Sequence, residues 1–242
     1  ASEKINDYFK ECQVDKEVRI IPNAAEIDLF HPKNVTEFAI EKAREQLKLP
    51  RDAFVIVFTG RLGGEKSIDV LIDYFAQTFR GVPKTYLLII GDGPSKEQLQ
   101  NQVRELQMED QIRFTGKIPH TDLPPYYALA SAYASASVSE NNSVAMVEGI
   151  AMGLPIIQRL EDRKPAQIIE GVNGFYFTNV KEFSEHARRL LGLSAEEKAA
   201  LKEQVRNSVE DFGVESMTNR ILALYNDAMK AYREERASAS YS

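Results

Sequence analysis

The sequence has little cysteine and no long apolar run, and each shortage excludes a class of protein. Cys12 is the only cysteine among 242 residues, which excludes an internal disulfide framework and a cysteine metal cluster. No apolar run reaches the roughly 20 residues that cross a bilayer, and the first residues carry no signal-peptide pattern. We therefore expect a cytoplasmic protein whose contact with a membrane, at its inner face, is peripheral.

Basic charge is also scarce. Lys and Arg number 30 against 36 Asp and Glu, a net charge of −6, which argues against nucleic acid as a partner. The three histidines, His31, His120 and His186, lack metal-ligand spacing and a companion nucleophile. Glu161 and Asp162 run directly into Arg163-Lys164, a pattern typical of a salt-bridged surface. We expect no metal, no cofactor and no catalytic histidine.

What the sequence does contain is a regular alternation of short apolar runs and helical patterns. The runs predict strands at 18–21, 54–59, 86–90, 112–115, 133–137, 154–158 and 174–177. The helical patterns cover 36–48, 66–80, 95–107, 121–131, 143–152, 164–170, 181–191 and a charged region, 195–235, with a break at Phe212-Gly213. This alternation predicts an α/β fold with a Rossmann-like, doubly wound parallel sheet. We expect one domain, 1–236, followed by a disordered tail, 237–242.

In such a sheet, ligands bind beyond the carboxyl ends of the strands. The loop there that combines the most glycines and cations is Gly60-Arg61-Leu62-Gly63-Gly64-Glu65-Lys66. Its glycines allow close backbone approach, and Arg61 and Lys66 are suited to phosphate oxygens. The Gly-Lys-Ser/Thr ending of a P-loop is absent. The alternative is a solvated turn in which Lys66 pairs with acidic neighbours.

Two further loops offer weaker signals. Gly91-Asp92-Gly93-Pro94 is a tight turn that either lines a nucleotide pocket or is purely structural. After the run ending at Gly116, the backbone of Lys117 and Ile118 is placed to contact a flat base, although a plain loop fits equally well.

The stretch Ser139–Gly153, SENNSVAMVEGIAMG, places two carboxylates around a helix start. If the helix begins near Asn142 or Ser143, either side chain can cap it, and the N–H groups at Ser143 and Val144 favour a phosphate. Glu140 lies beside that position. Glu148 lies in the apolar part of the helix and therefore needs a hydrogen-bond partner. Ribose hydroxyls, backbone amides and a lysine of the same domain are all suitable.

Six segments in register between residues 21 and 177 resemble one family. They are IPNAAEIDLFHP (21–32), GRLGGEKSIDVLIDYF (60–75), LLIIGDGP (87–94), IRFTGKIPHTDLPPYYALAS (112–131), SENNSVAMVEGIAMGLPII (139–157) and IIEGVNGFYF (168–177). Together they resemble the C-terminal, donor-binding domain of a retaining GT-B glycosyltransferase of the family-4 type, the glycosyl transferases group 1. The resemblance implies one Rossmann-like half of a GT-B fold.

The resemblance also implies a role for each matching position. Arg61 and Lys66 would hold the diphosphate and stabilise the departing nucleotide, Glu140 would contact the sugar, and Glu148 would accept from the ribose. The implied catalytic residues are therefore Arg61, Lys66 and Glu140. The implied donor-binding residues are Glu148, Ser143, Val144, Asn142, Gly60, Gly91, Lys117 and Ile118.

The expected activity is transfer of a hexose from a nucleotide-sugar, with UDP-sugars favoured by their frequency in the family and no metal required. The acceptor-binding N-terminal domain of the family is absent from this chain, so that domain is an expected partner and the isolated chain should be nearly inactive. Alternatives are a non-catalytic glycosyltransferase-like subunit and a nucleotide-sugar 2-epimerase.

Two details bear on specificity. Asn141-Asn142-Ser143 replaces the family's usual Gly-Phe-Gly, and Gly149 replaces a common alanine. The sequence of Ser135–Glu140 resembles that of bacterial diacylglycerol glucosyltransferases, which implies a lipid acceptor. Polysaccharide and protein are the other acceptor classes.

Overall fold

The computed structural model describes residues 8–9, 11–13, 19, 21–137, 143–160, 164–165, 167–209 and 212–239. Its centre is a six-stranded sheet with strand order β3-β2-β1-β4-β5-β6. The strands are Phe54–Thr59 (β1), Thr85–Ile90 (β2), Ile112–Gly116 (β3), Ala132–Ser135 (β4), Ile156–Arg159 (β5) and Gly174–Phe177 (β6). All the strand pairs are parallel.

The α-helices of the described residues follow or connect these strands. They are Glu37–Leu47 (α1), Ile68–Phe79 (α2), Lys96–Glu105 (α3), Pro124–Ala128 (α4), Val144–Ala151 (α5), Val180–Leu191 (α6), Ala195–Asn207 (α7) and Val214–Ala239 (α8). Short 3₁₀ turns lie at Pro32–Asn34, Gly64–Lys66 and His120–Asp122. No described helix combines the length and the apolar character that crossing a bilayer requires.

Both faces of the sheet are buried, which is why the strands read as continuous apolar runs. Phe54, Ile56 and Phe58 of β1 pack in one core cluster with residues of α2, α3 and α6. Val55 and Val57 point the other way, into a cluster with residues of α1, α4, α5 and α7. The helices therefore cover both faces, and the predicted doubly wound parallel sheet is confirmed.

Two predicted elements are absent from the described residues. Arg19 and Ile21, from the predicted strand 18–21, lie in no strand; the Arg19 guanidinium instead pairs with Asp227 of α8 at 2.6 Å. The predicted helix 164–170 is also wrong for its described residues. Its backbone is held by the side chain of Asn173, which accepts from Ile169 N–H at 2.7 Å and donates to the Gln167 carbonyl at 3.1 Å. Such side-chain bonds compete with helical ones.

Element ends also differ from the sequence prediction. The patterned region 121–131 is a 3₁₀ turn followed by the short helix α4, because Pro124 and Pro125 supply no N–H to continue the turn as a helix. At the other end, residues 237–239 continue α8, although the sequence places them in the tail. Residues 240–242 lie outside the described residues.

Candidate functional site

The carboxyl ends of β1, β2 and β3 are joined by backbone hydrogen bonds between their loops. Gly60 N–H donates to the Ile90 carbonyl at 3.0 Å, and Gly91 N–H donates to the Gly116 carbonyl at 2.9 Å. Leu62 both donates to and accepts from the loop after β2, at 3.0 Å and 2.9 Å. The predicted loops 60–66, 91–95 and 116–119 thus lie side by side, and loop 60–66 borders the point between β1 and β4 where the strand order reverses.

The two glycines of the loop after β2, Gly91 and Gly93, are required by backbone packing. A Cβ on Gly91 would lie 1.9 Å from the Gly60 carbonyl oxygen, and a Cβ on Gly93 would lie 2.5 Å from that of Leu62. Gly91 also has φ +145°, a region that other residues rarely adopt. The structural interpretation of the Gly-Asp-Gly-Pro turn therefore has direct support, while the donor-binding roles of Gly60 and Gly91 stay predictions.

The cationic loop after β1 presents Arg61 to solvent. The Arg61 side chain is 70% exposed, and its guanidinium lies 3.9 Å from the Glu65 carboxylate. Lys66 is half-buried in the 3₁₀ turn, and Ser67 reverses the chain with φ +46° before α2 begins. The loop therefore enters α2 through an extra turn, and the Arg61 guanidinium remains accessible to an anion.

The segment leaving β4 is tied to this loop. Ser137 Oγ donates to the Glu65 carbonyl at 3.2 Å, and the buried Gln158 amide donates to the Ser137 carbonyl at 2.8 Å. Beyond it, Glu140 and Asn142 lie outside the described residues.

Ser143 is the N-cap residue of α5, but its side chain makes no capping hydrogen bond; Asn142, the other capping residue that the sequence offers, lies outside the described residues. Its extended backbone (φ −82°, ψ 116°) nevertheless starts the helix there. The first amides of α5, including that of Val144, lack intrahelical acceptors by helix geometry. The phosphate-binding roles of Ser143 and Val144 stay predictions.

Glu148 is a buried carboxylate whose partners are now identified. Its side chain is 4% exposed; Oε1 lies 2.7 Å from His120 Nε2, and Oε2 accepts from the Tyr127 hydroxyl at 3.2 Å. Burial raises the pKa of Glu148, and the hydrogen bonds from His120 and Tyr127 oppose that rise. The expectation that this carboxylate is hydrogen-bonded is confirmed, with partners that the sequence did not name.

Aromatic residues fix the position of this group. Tyr127 is fully buried between Tyr133, with ring centroids 6.4 Å apart, and Phe30, at 5.3 Å. Burial raises the pKa of Tyr127 well above its ordinary value, so its phenol acts as a donor. The Phe30 ring also lies 5.1 Å from the His120 ring. Glu148 is therefore held from two sides by groups with packed rings.

Lys117 and Ile118, the predicted neighbours of a base, lie on the same connection as His120. Gly116 turns the chain with φ +74°, after which Lys117 is exposed and Ile118 packs partly against the core. The hydrogen bond between His120 and Glu148 therefore places the loop that carries Lys117 and Ile118 beside Glu148. From the sequence, His120 was noted only as one of three histidines without metal-ligand spacing or a companion nucleophile. The only signal for it was the need of Glu148 for a partner.

The pKa shift of Glu148 predicts how stability depends on pH. The pKa of Glu148 in the folded state lies above the ordinary value of 4.5, so above pH 4.5 the folded chain holds this proton more tightly than the unfolded chain does. The contribution of Glu148 to the free energy of unfolding therefore falls as pH rises through the window above 4.5. Glu148→Gln keeps an acceptor for His120 and removes the titration. We expect the stability of the variant relative to the native chain to increase between pH 4.5 and pH 8 in urea unfolding. A constant difference across that range would contradict the assignment.

Comparisons with known proteins identify the family and agree with the fold. The family model described as "Glycosyl transferases group 1" matches residues 39–208. The chain is 29% identical over 185 residues to alpha-monoglucosyldiacylglycerol synthase of Acholeplasma laidlawii, covering 76% of this chain and 46% of that protein. It is 26% identical over 227 residues to D-inositol 3-phosphate glycosyltransferase 1 of Catenulispora acidiphila, covering 89% of this chain and 53% of that one.

A solved structure shares the fold. The Anabaena protein HepE, crystallised with UDP, superposes with a TM-score of 0.78 at 22% identity, covering 93% of this chain and 62% of that one. The chain thus spans about half the length of the curated relatives it matches.

Proposed function

The chain belongs to the glycosyl transferases group 1 family, and from that premise we propose that it binds a nucleotide-sugar at the carboxyl ends of β1, β2, β3 and β4. It would serve as the donor-binding half of a retaining hexosyltransferase. The observation that carries this proposal is Glu148, a buried carboxylate in an otherwise apolar helix, held by two donors at the strand-end edge. A carboxylate placed there is suited to a vicinal diol.

In this proposal each group of residues contacts a different part of the nucleotide-sugar. Arg61 and Lys66 face the diphosphate together with the first amides of α5, and they stabilise the charge that develops as the nucleotide departs. Glu148 accepts from the ribose hydroxyls, Lys117 and Ile118 border the base, and Glu140 contacts the sugar. These cations and the helix end supply the positive field, so we propose that no metal takes part.

Isothermal titration calorimetry with UDP-, ADP- and GDP-glucose tests this proposal. We expect saturable binding, with UDP-glucose the tightest of the three, unchanged by EDTA. UDP comes first because of its frequency in the family, and HepE of the same fold was crystallised with it. A folded chain that binds none of the three would contradict the donor-domain proposal. Binding abolished by EDTA would contradict metal independence alone.

We further propose that α8 contacts the acceptor-binding half of the full protein. Leu222, Tyr225, Met229 and Tyr232 are each about half exposed or more, and their spacing of three and four places them on one helix face. A cavity of about 840 Å³ opens between residues 25–29 and the start of α8. An apolar face of this kind on a soluble domain marks an interaction site.

Glucose transfer from the nucleotide-sugar to an acceptor is measured in two samples. We expect the isolated chain to show little or no transfer, and a protein that also carries the acceptor half to transfer glucose. The similarity to alpha-monoglucosyldiacylglycerol synthase makes diacylglycerol lipids the first acceptors to test. Weak donor binding together with tight binding to a homologous enzyme would instead favour a non-catalytic subunit.

A further inference from the structure

The contacts of Glu148 leave a defined number of acceptor positions. A carboxylate oxygen accepts about two hydrogen bonds. Oε1 uses one for His120 at 2.7 Å and Oε2 uses one for Tyr127 at 3.2 Å. Counting the contacts among the described residues, one position remains on each oxygen, which is the number that two neighbouring hydroxyls require. When Glu148 is ionised the carboxylate supplies no proton, and His120 Nε2 then carries the hydrogen of this bond.

His120 lies on the solvent side of this pair. Its side chain is 47% exposed, whereas that of Glu148 is 4% exposed. The other groups that act on the carboxylate are Tyr127, which also donates, and Glu26, whose negative charge disfavours ionisation. Within the described residues, His120 is the only basic side chain that lies within hydrogen-bond distance of the Glu148 carboxylate. Its removal would leave a buried carboxylate with a single weak donor.

We propose that His120 is a positioning residue for the donor ribose: its Nε2–H keeps Glu148 ionised and leaves one acceptor position on each oxygen for the 2′- and 3′-hydroxyls. This inference rests on the proposed function, because it assumes that Glu148 accepts from the ribose. His120 acts through Glu148 and needs no contact with the reacting atoms. It follows that His120 contributes to affinity only when the ribose carries both hydroxyls.

A comparison of UDP with 2′-deoxy-UDP tests this coupling. In calorimetry at pH 7.5, we expect His120→Ala to weaken UDP binding about tenfold and 2′-deoxy-UDP binding less than about twofold. His120→Gln places an amide N–H near the original Nε2, so it should keep UDP affinity within about threefold. His186→Ala is the matched control, because His186 lies in α6 beside the Tyr176 carbonyl and stacks on Phe175; it should change neither affinity.

The pH profile is the second measurement. Native UDP affinity should fall as pH is lowered, because protonated Glu148 loses acceptor capacity, and in His120→Ala the fall should begin at higher pH. If His120→Ala does not fold, His120→Asn replaces it. The asparagine amide is shorter than the glutamine amide of His120→Gln, so it should not reach Glu148. Equal losses for UDP and 2′-deoxy-UDP, or an unshifted profile, would overturn this inference alone. No UDP binding by the native chain would overturn it together with the proposed function.

Discussion

A chain carrying both Arg61→Ala and Lys66→Ala is expected to bind UDP far more weakly than the native chain. Each single substitution should weaken binding by about 1–3 kcal/mol, because each removes a charge-assisted hydrogen bond to the diphosphate; this corresponds to about 5- to 150-fold in Kd. The double variant should lose more than either single one. Calorimetric titration with UDP measures all three.

An arginine near the opposite end of β1 provides a matched control for this experiment. Arg51 precedes β1, whereas Arg61 follows it; the Arg51 side chain is 80% exposed and pairs with Glu41 at 3.2 Å. Because Arg51 lies at the amino end of β1, Arg51→Ala should leave UDP affinity unchanged. If Arg51→Ala and Arg61→Ala weaken binding equally, only overall charge matters and the proposed site is wrong. Salt should also weaken native binding more than binding by the double variant.

Gly91→Ala is expected to destabilise the fold by about 3–5 kcal/mol, the largest effect on stability among our predictions. The added Cβ would lie 1.9 Å from the Gly60 carbonyl oxygen, and a backbone atom cannot move aside as a flexible side chain can. The residue would also be held at φ +145°. Urea unfolding followed by circular dichroism measures the change in the free energy of unfolding.

Two other glycines separate the causes of this effect. Gly64→Ala meets open space and should change stability by less than about 0.5 kcal/mol. Gly81→Ala also meets open space but at φ +73°, so it should cost only the conformational term of about 1–2 kcal/mol. A Gly91→Ala variant no less stable than Gly81→Ala would mean that the close approach of the two loops does not constrain the backbone.

The Arg61→Ala and Gly91→Ala substitutions both affect the loop after β1. The bonds from Gly60 to Ile90 and from Leu62 to the loop after β2 hold the cationic loop in place. Arg61 is exposed and loosely paired, so the position of its guanidinium depends on that backbone. We therefore expect Gly91→Ala to weaken UDP binding even where the chain remains folded.

Several features of the site were predictable from the sequence because they follow from local pattern. The apolar runs of β1 and β6 match the observed strands residue for residue, since a strand buried on both faces leaves an uninterrupted apolar signal. The loop at 60–66 follows from topology, since ligands bind beyond the strand ends of this fold. Glu148 was recognisable because a carboxylate in an apolar helix needs a partner.

Other features were misjudged because the local pattern is ambiguous. The four-residue run 18–21 has the composition of a strand, but a strand also needs a neighbour, and sequence does not specify whether one is available. The pattern at 164–170 has the composition of a helix, yet the Asn173 side chain holds the backbone of this segment in another form.

The sequence by itself determined the parallel α/β sheet, the cationic glycine loop and the requirement that Glu148 be hydrogen-bonded. Only the tertiary structure decided which groups meet that requirement. His120 is 28 positions from Glu148 and Tyr127 is 21, and no spacing rule connects residues so far apart. Their contact depends on how α4 and the 3₁₀ turn at His120–Asp122 pack beside α5. Packing of that kind is set by many side chains together, so it becomes visible only in the folded chain.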